Sequence, residues 1–134
     1  MLESRSDLRR SRRMVIKIGT SVLFENGALS RNRLKVLARQ TAALRKEGRE
    51  VILVSSGAVG VGWKKLGLAE RPGTLLLKQA CAAVGQAFLM TAWEKALADE
   101  GLLAAQVLIS ADDLSDRTRF LNAKTLCVPS WPTA

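Results

Sequence analysis

Lys17, Gly19, Thr20 and Ser21 fall within the stretch Lys17-Ile18-Gly19-Thr20-Ser21, at the end of an apolar run that begins at Val15. The run reads as a buried strand, and an ammonium is costly to bury without a partner. Two readings account for the lysine. It snorkels to a sheet edge, or the backbone N–H groups of Gly19, Thr20 and Ser21 form an anion nest with Lys17 as the point charge beside it. A glycine at that place lets the backbone turn tightly. The second reading makes the stretch a phosphate-binding turn. Neither GxxxxGK[ST] nor GxGxxG occurs in the chain, so such a turn is of another type.

A second candidate is Ser55 to Gly62, SSGAVGVG, which follows the apolar residues Val51 to Val54. A strand running into a glycine-rich helix start offers free N–H groups and a positive dipole end to an anion. Ser56 adds a hydroxyl. The plainer reading is a tight strand-to-helix turn with serine as its cap, and the residues leave both open. Lys78, Gln79 and Gln86 interrupt an apolar helix pattern and read as a polar edge or as helix–helix hydrogen bonds. Asp112, Asp113 and Asp116 precede Arg117 and Arg119; acids suit a helix start, and Asp113 with Arg117 has i,i+4 spacing.

The chain has no histidine, which excludes His-ligated metals and an imidazole base. Its two cysteines, Cys81 and Cys127, have no metal-ligand spacing, so no metal site is expected and the setting reads as reducing and cytoplasmic. Cys81 is expected to be a small core residue.

The elements that must position these residues follow from the pattern. Residues 14–18 read as a buried strand and 19–29 as a loop. Ser30 caps a helix to about Glu47, with Leu34, Leu37, Ala38, Thr41 and Leu44 as its inner stripe and Gly48 as its stop. Val51 to Val54 is a second buried strand, followed by a short helix to Leu66 and a loop from Gly67 to Gly73. Residues 74–100 make a long helix ended by Gly101, apolar nearly all round and so a buried helix or an interface. Ala104 to Ile109 reads as a third strand, Ser110 to Asp113 as a polar loop, and a helix begins at SDRTRFLNA. Continuous apolar strands alternating with helices point to an α/β fold with a mostly parallel sheet covered on both faces. Ligands in such sheets gather at the carboxyl ends of the strands, where both glycine-rich turns lie.

The 134 residues suit one domain, 48% apolar and 25% charged, with a net charge of +9. Residues 1–13 hold five arginines against Glu3 and Asp7 and read as a solvated, disordered tail. Met14 is an alternative start. No apolar run is counted as reaching the ~20 residues that span a bilayer, and no apolar stretch follows the basic start as in a secretory signal.

Four stretches taken together are more specific than any one. VIKIGTSVL from Val15, VILVSSGAVGVG from Val51, KQACAAVGQ from Lys78 and DDLSDRTRFLNA from Asp112 resemble, in this order, the amino-terminal half of the glutamate 5-kinases of the amino acid kinase family. The resemblance covers about Met14 to Ala123. It implies one half of an αβα three-layer sandwich around a mostly parallel sheet. It also implies ATP-dependent phosphorylation of the γ-carboxylate of L-glutamate to glutamyl 5-phosphate, the first step of proline synthesis. ATP and Mg²⁺ are the implied cofactors, proline a feedback inhibitor, and a homo-oligomer the implied state of the full-length protein. Lys17 then matches the catalytic lysine on the ATP phosphates, with Gly19, Thr20 and Ser21 as the phosphate turn. Ser56, Gly57 and Ala58 match the glutamate-binding residues.

The resemblance fails after Ala123. The family continues through a longer helix to a strand ending in Asn-Glu-Asn-Asp, and then to segments that hold the nucleotide. Here the chain reads Lys124-Thr125-Leu126-Cys127-Val128-Pro129-Ser130-Trp131-Pro132-Thr133-Ala134, whose prolines do not extend a helix. A frameshift or premature stop near Lys124 is therefore expected, giving a basic tail at 1–13, a partial kinase domain at 14–123 and an aberrant segment at 124–134. Such a chain is expected to be inactive and poorly soluble, with an exposed sheet edge and apolar faces. The rival classes are a non-catalytic remnant, an RNA-binding module built on the basic tail, and a domain completed by a separate chain. Against RNA, the tail has no aromatic residue for base stacking. No membrane role is expected.

Overall fold

The structure, a computed structural model, describes residues 11–127. They fall into two compact units that divide after Ala104. The first begins with strand β1 (Arg13–Ile18), the single helical turn α1 (Thr20–Leu23) and the short strands β2 (Phe24–Glu25) and β3 (Ala28–Leu29). Helix α2 (Arg31–Lys46), strand β4 (Glu50–Ser55), helix α3 (Ala58–Lys65) and helix α4 (Leu75–Ala98) follow. The second unit holds α5 (Ala111–Ser115) and α6 (Arg117–Cys127).

β1 and β4 pair in parallel, with Arg13 opposite Glu50 and Ile18 opposite Ser55. The fold is therefore α/β with a parallel sheet, as the strand and helix order predicts. The predicted burial of β1 on both sides is not found. Ile16 and Ile18 turn toward a core of Leu23, Leu34, Ala38, Val61, Leu89 and Trp93, with Leu53 of β4 packed against it. Val15 and Lys17 point the other way, and Val15 is 65% exposed. α2 and α4 supply this core from one side, leaving Val15 and Val54 on an open face. Lys17 thus needs no buried partner; it stands in solvent.

Local chemistry explains the helix limits. The Ser30 hydroxyl accepts from the Arg33 amide at 3.4 Å to start α2, and Gly48 at φ 79 turns the chain away after it. Leu34, Ala38, Thr41 and Ala42 are its buried stripe. The stretch expected to be a plain loop after Ile18 holds α1 and a hairpin. Asn26 and Gly27, at φ 50 and 74, make the left-handed pair that a two-residue hairpin turn requires.

α4 buries Cys81, Gly85, Leu89, Trp93, Ala96 and Leu97, while Leu75, Leu76 and Phe88 stay exposed. By length and composition it is long and apolar enough to cross a bilayer, which corrects the sequence count. Its buried stripe, however, is part of the core shared with β1 and α2. Its closest neighbour is α3, and two glycines permit the approach. A Cβ on Gly62 would fall 1.7 Å from the Cys81 carbonyl oxygen, and one on Gly85 would fall 1.9 Å from that of Ala58.

Three further expectations are corrected. Ala104 to Ile109 forms no strand: no neighbouring strand among the described residues takes up its hydrogen bonds, and β propensity alone does not make a sheet. Ser110 to Asp113 is not a loop but a capping box that opens α5. The Asp113 carboxylate accepts from the Ser110 amide at 2.7 Å and hydroxyl at 2.8 Å, and these bonds hold its pKa below the usual carboxylate range. Asp113 meets Arg119, at 3.7 Å, rather than Arg117, because Asp116 breaks the helix between them and caps α6 by accepting from the Arg119 amide at 2.8 Å.

At the amino-terminal end, Arg13 belongs to β1 rather than to a tail. Its Nε donates to Glu50 at 2.7 Å, and Arg12 meets the same carboxylate at 3.6 Å. Two of the five arginines counted for an RNA-binding tail thus share the one Glu50 carboxylate; residues 1–10 lie outside the described part. α6 runs through Lys124 to Cys127, past the point where the family pattern was expected to break, and residues 128–134 lie outside the described part.

Candidate active site

Parallel pairing brings the two glycine-rich turns side by side. Ile18 and Ser55 are register partners, and the Ser56 amide donates to the Ile18 carbonyl at 2.9 Å. Both turns therefore leave the sheet at its carboxyl end, and each opens a helix that no side chain caps.

In the first turn Gly19 precedes α1 with φ −76 and ψ 160, values open to any residue. The glycine is not required by a tight bend, contrary to the expectation from sequence. What it does is leave the backbone bare beneath the lysine: a Cβ there would lie 3.7 Å from Lys17 Nζ. Lys17 is exposed and has no ion-pair partner among the described residues, so its charge is available. The carbonyl end of this turn is held by Arg33, whose Nη1 donates to Ser21 at 2.9 Å, Val22 at 3.2 Å and Phe24 at 3.0 Å.

The second turn is built differently. Gly57, not a serine, precedes α3, and its φ of 119 is a conformation that favours glycine. This removes the plain serine-cap reading and leaves the Ser56 hydroxyl outside the capping role. The Phe24 ring lies against the turn; a Cβ on Gly57 would meet its Cε2 at 3.1 Å, and one on Gly60 would meet its Cζ at 2.9 Å. From the core side Trp93, 3% exposed, donates its indole N–H to Ser55 Oγ at 2.9 Å. That hydroxyl in turn donates to the Ser56 carbonyl at 3.3 Å. A relay from α4 thus fixes the serine pair.

Thr20, Ser55, Ser56, Gly57, Ala58 and Trp63 line one cavity of about 250 Å³, with Arg71 and Pro72 completing the wall. Of the residues expected to touch phosphate, Thr20 reaches this cavity. Ser21 lines a separate, more open groove with Arg33 and Val36. Lys78 and Gln79 are exposed, Gln86 is half-buried, and none of the three lines the cavity. Sequence reasoning missed Arg33, Trp93 and Arg71, which lie on other elements and carry no local pattern.

Chemically, the cavity is lined by hydroxyl-bearing residues, the uncapped start of α3 and one arginine, and none of its lining residues is acidic. Such a wall suits an anion. Among the described residues no group of three acids, cysteines or histidines is placed to hold a metal.

The sequence matches the amino acid kinase family over residues 12–127. It is 54% identical over 114 residues to the glutamate 5-kinase of Thermus thermophilus, a span of 85% of this chain and 31% of that protein. Against the glutamate 5-kinase of Moorella thermoacetica it is 50% identical over 123 residues, 91% of this chain and 32% of the relative. Against that of an Azoarcus species it is 46% identical over 125 residues, 92% and 34% respectively. The chain thus spans about a third of the length of these relatives.

Proposed function

The chain belongs to the amino acid kinase family, and we propose that its two turns form the phosphate-contacting and acceptor-binding part of a glutamate 5-kinase. The observation that carries this reading is the cavity in which Thr20 of one turn meets Ser56, Gly57 and Ala58 of the other. An acceptor held there lies beside a bare phosphate turn whose lysine has no ion-pair partner among the described residues.

The proposed reaction transfers the γ-phosphoryl group of ATP to the γ-carboxylate of L-glutamate. A carboxylate is already ionised at neutral pH, so no general base is needed and the lack of histidine is no obstacle. One carboxylate oxygen bonds to the γ-phosphorus as the bond from that phosphorus to the bridging oxygen of ADP breaks. The protein's work is in-line positioning and charge neutralisation. Lys17 neutralises charge on the transferring group, Gly19, Thr20 and Ser21 offer backbone N–H groups to the phosphates, and Ser56, Gly57 and Ala58 hold glutamate. The described residues carry no carboxylate cluster for Mg²⁺. The ion fits this site only as a companion of the ATP phosphates, and no step is assigned to it.

Feedback inhibition by proline, a homo-oligomer for the full-length protein and a cytoplasmic location belong to the same proposal. So does the division into a basic amino-terminal segment, a partial kinase domain and a divergent segment from Lys124, with little or no turnover by these residues alone. The test is a chimera in which residues 14–123 replace the matching segment of the Thermus thermophilus relative. ATP-dependent formation of γ-glutamyl hydroxamate in the presence of hydroxylamine is expected, and Lys17→Met should abolish it. A folded chimera that binds ATP and forms no hydroxamate contradicts the proposal.

A further inference from the structure

We infer that Arg71 is the residue that selects the acceptor by its α-carboxylate, an inference that rests on the glutamate site proposed above. Glutamate carries two carboxylates, and the chemistry uses the γ one, which must lie at the phosphate turn. Thr20 is the turn's contribution to the cavity wall; Arg71 enters the same wall from the loop between α3 and α4. A volume of about 250 Å³ falls below the roughly 300–1,000 Å³ of clefts for drug-sized ligands, so it suits an amino acid better than a nucleotide.

Arg33, the arginine that holds the first turn, is spent on three carbonyls. Arg71 has no ion pair and no hydrogen bond among the described residues, and no carboxylate lines the cavity to take its charge. Its backbone is held: Pro72, the next residue, is buried, and a residue before proline is restricted to extended conformations. An exposed arginine at the cavity wall, without a partner among the described residues, offers a fork to a planar anion. It matches a carboxylate with two parallel N–H bonds, where a lysine would give a single point charge. The hydroxyls and uncapped amides on the rest of the wall are left for the γ end of the ligand.

The test is isothermal titration of the full 134-residue chain with L-glutamate, 4-aminobutyrate and ATP, comparing Arg71 with Arg71→Lys and Arg71→Gln. 4-Aminobutyrate keeps the γ-carboxylate and lacks the α one. Loss of a charge-assisted bidentate contact should weaken L-glutamate about tenfold or more in Arg71→Gln. Arg71→Lys should recover part of that loss, and 4-aminobutyrate and ATP should bind all three chains alike. Unchanged L-glutamate binding by Arg71→Gln overturns the inference and leaves the kinase proposal standing. Equal losses for L-glutamate and 4-aminobutyrate also overturn it, because the guanidinium would then not read the α-carboxylate. Failure of the unsubstituted chain to bind L-glutamate while it binds ATP overturns the acceptor site and the inference together.

Discussion

The turn after β1 and the turn after β4 leave the same end of one sheet, yet they are held by different physics. The first is tied by hydrogen bonds. Arg33 gathers three carbonyls of α1 and its neighbour, Gly19 has an ordinary backbone, and Lys17 stands in solvent above it. The second is held by packing. Gly57 is left-handed under the Phe24 ring, Trp93 braces Ser55 from the core, and α3 behind it lies against α4 at two glycines. The proposed transfer needs a cation that can be exposed and an acceptor pocket that does not drift. The comparison predicts that substitutions at the first turn change binding at little cost in stability, while those at the second change both.

The largest effect belongs to the packing behind the second turn. Gly85→Ala would place a Cβ 1.9 Å from the Ala58 carbonyl and 2.4 Å from the Gly62 amide, backbone atoms that move only if a helix moves. Overpacking of this kind should cost about 3 kcal/mol, read as a lower urea midpoint. Because Ala58 lines the cavity, glutamate binding should fall with it. Stability equal to that of the parent would mean that α3 and α4 do not pack as closely as described.

Paired alanines at the two glycines sharpen the contrast. Gly57→Ala meets both a φ of 119 and the Phe24 ring at 3.1 Å, and should lose about 1–3 kcal/mol. Gly19→Ala has an ordinary φ and 3.7 Å of clearance, so its melting temperature should stay close to the parent's while ATP binding weakens. Equal destabilisation at both sites would erase the distinction between them.

Lys17→Met should leave the urea midpoint unchanged, since the side chain is exposed and unpaired among the described residues. Its ATP affinity should drop about tenfold, the value of one charge-assisted contact. A loss of stability with unchanged ATP affinity would return Lys17 to a structural role at the sheet. The smallest effect is expected for Trp93→Phe, which keeps a buried ring and removes the donor to Ser55. It should cost about 1 kcal/mol and weaken L-glutamate more than ATP. If both ligands weaken equally, the indole bond serves the core and not the serine pair.

Much of this architecture was legible because local signals carried it. Ser30 before α2 and Gly48 after it, the apolar strand before Ser55, and Gly101 at φ 74 after α4 each have a short-range cause. α1 and the hairpin were not, because two-residue strands show no alternation and a four-residue helix shows no stripe. α5 was hidden in residues that look like a loop until the Ser110–Asp113 capping box is seen. Ala104 to Ile109 misled in the other direction, since its apolar residues satisfy strand propensity without a strand to pair with. At the candidate site, each turn announced itself by its own glycines and hydroxyls. What joins them, the register of Ile18 with Ser55 and the reach of Arg33, Trp93 and Arg71, depends on residues far apart in the chain.

The measurement that bears most directly on one site made of two turns is a backbone-amide NMR titration of the 134-residue chain with ATP and L-glutamate, added singly and in both orders. ATP should move the amides of Gly19, Thr20 and Ser21, and glutamate those of Ser56, Gly57 and Ala58, with Thr20 responding to both. Either ligand bound first should alter the other's shifts. Perturbations that scatter away from these residues, or two ligands that act with no effect on each other's amides, would contradict the account.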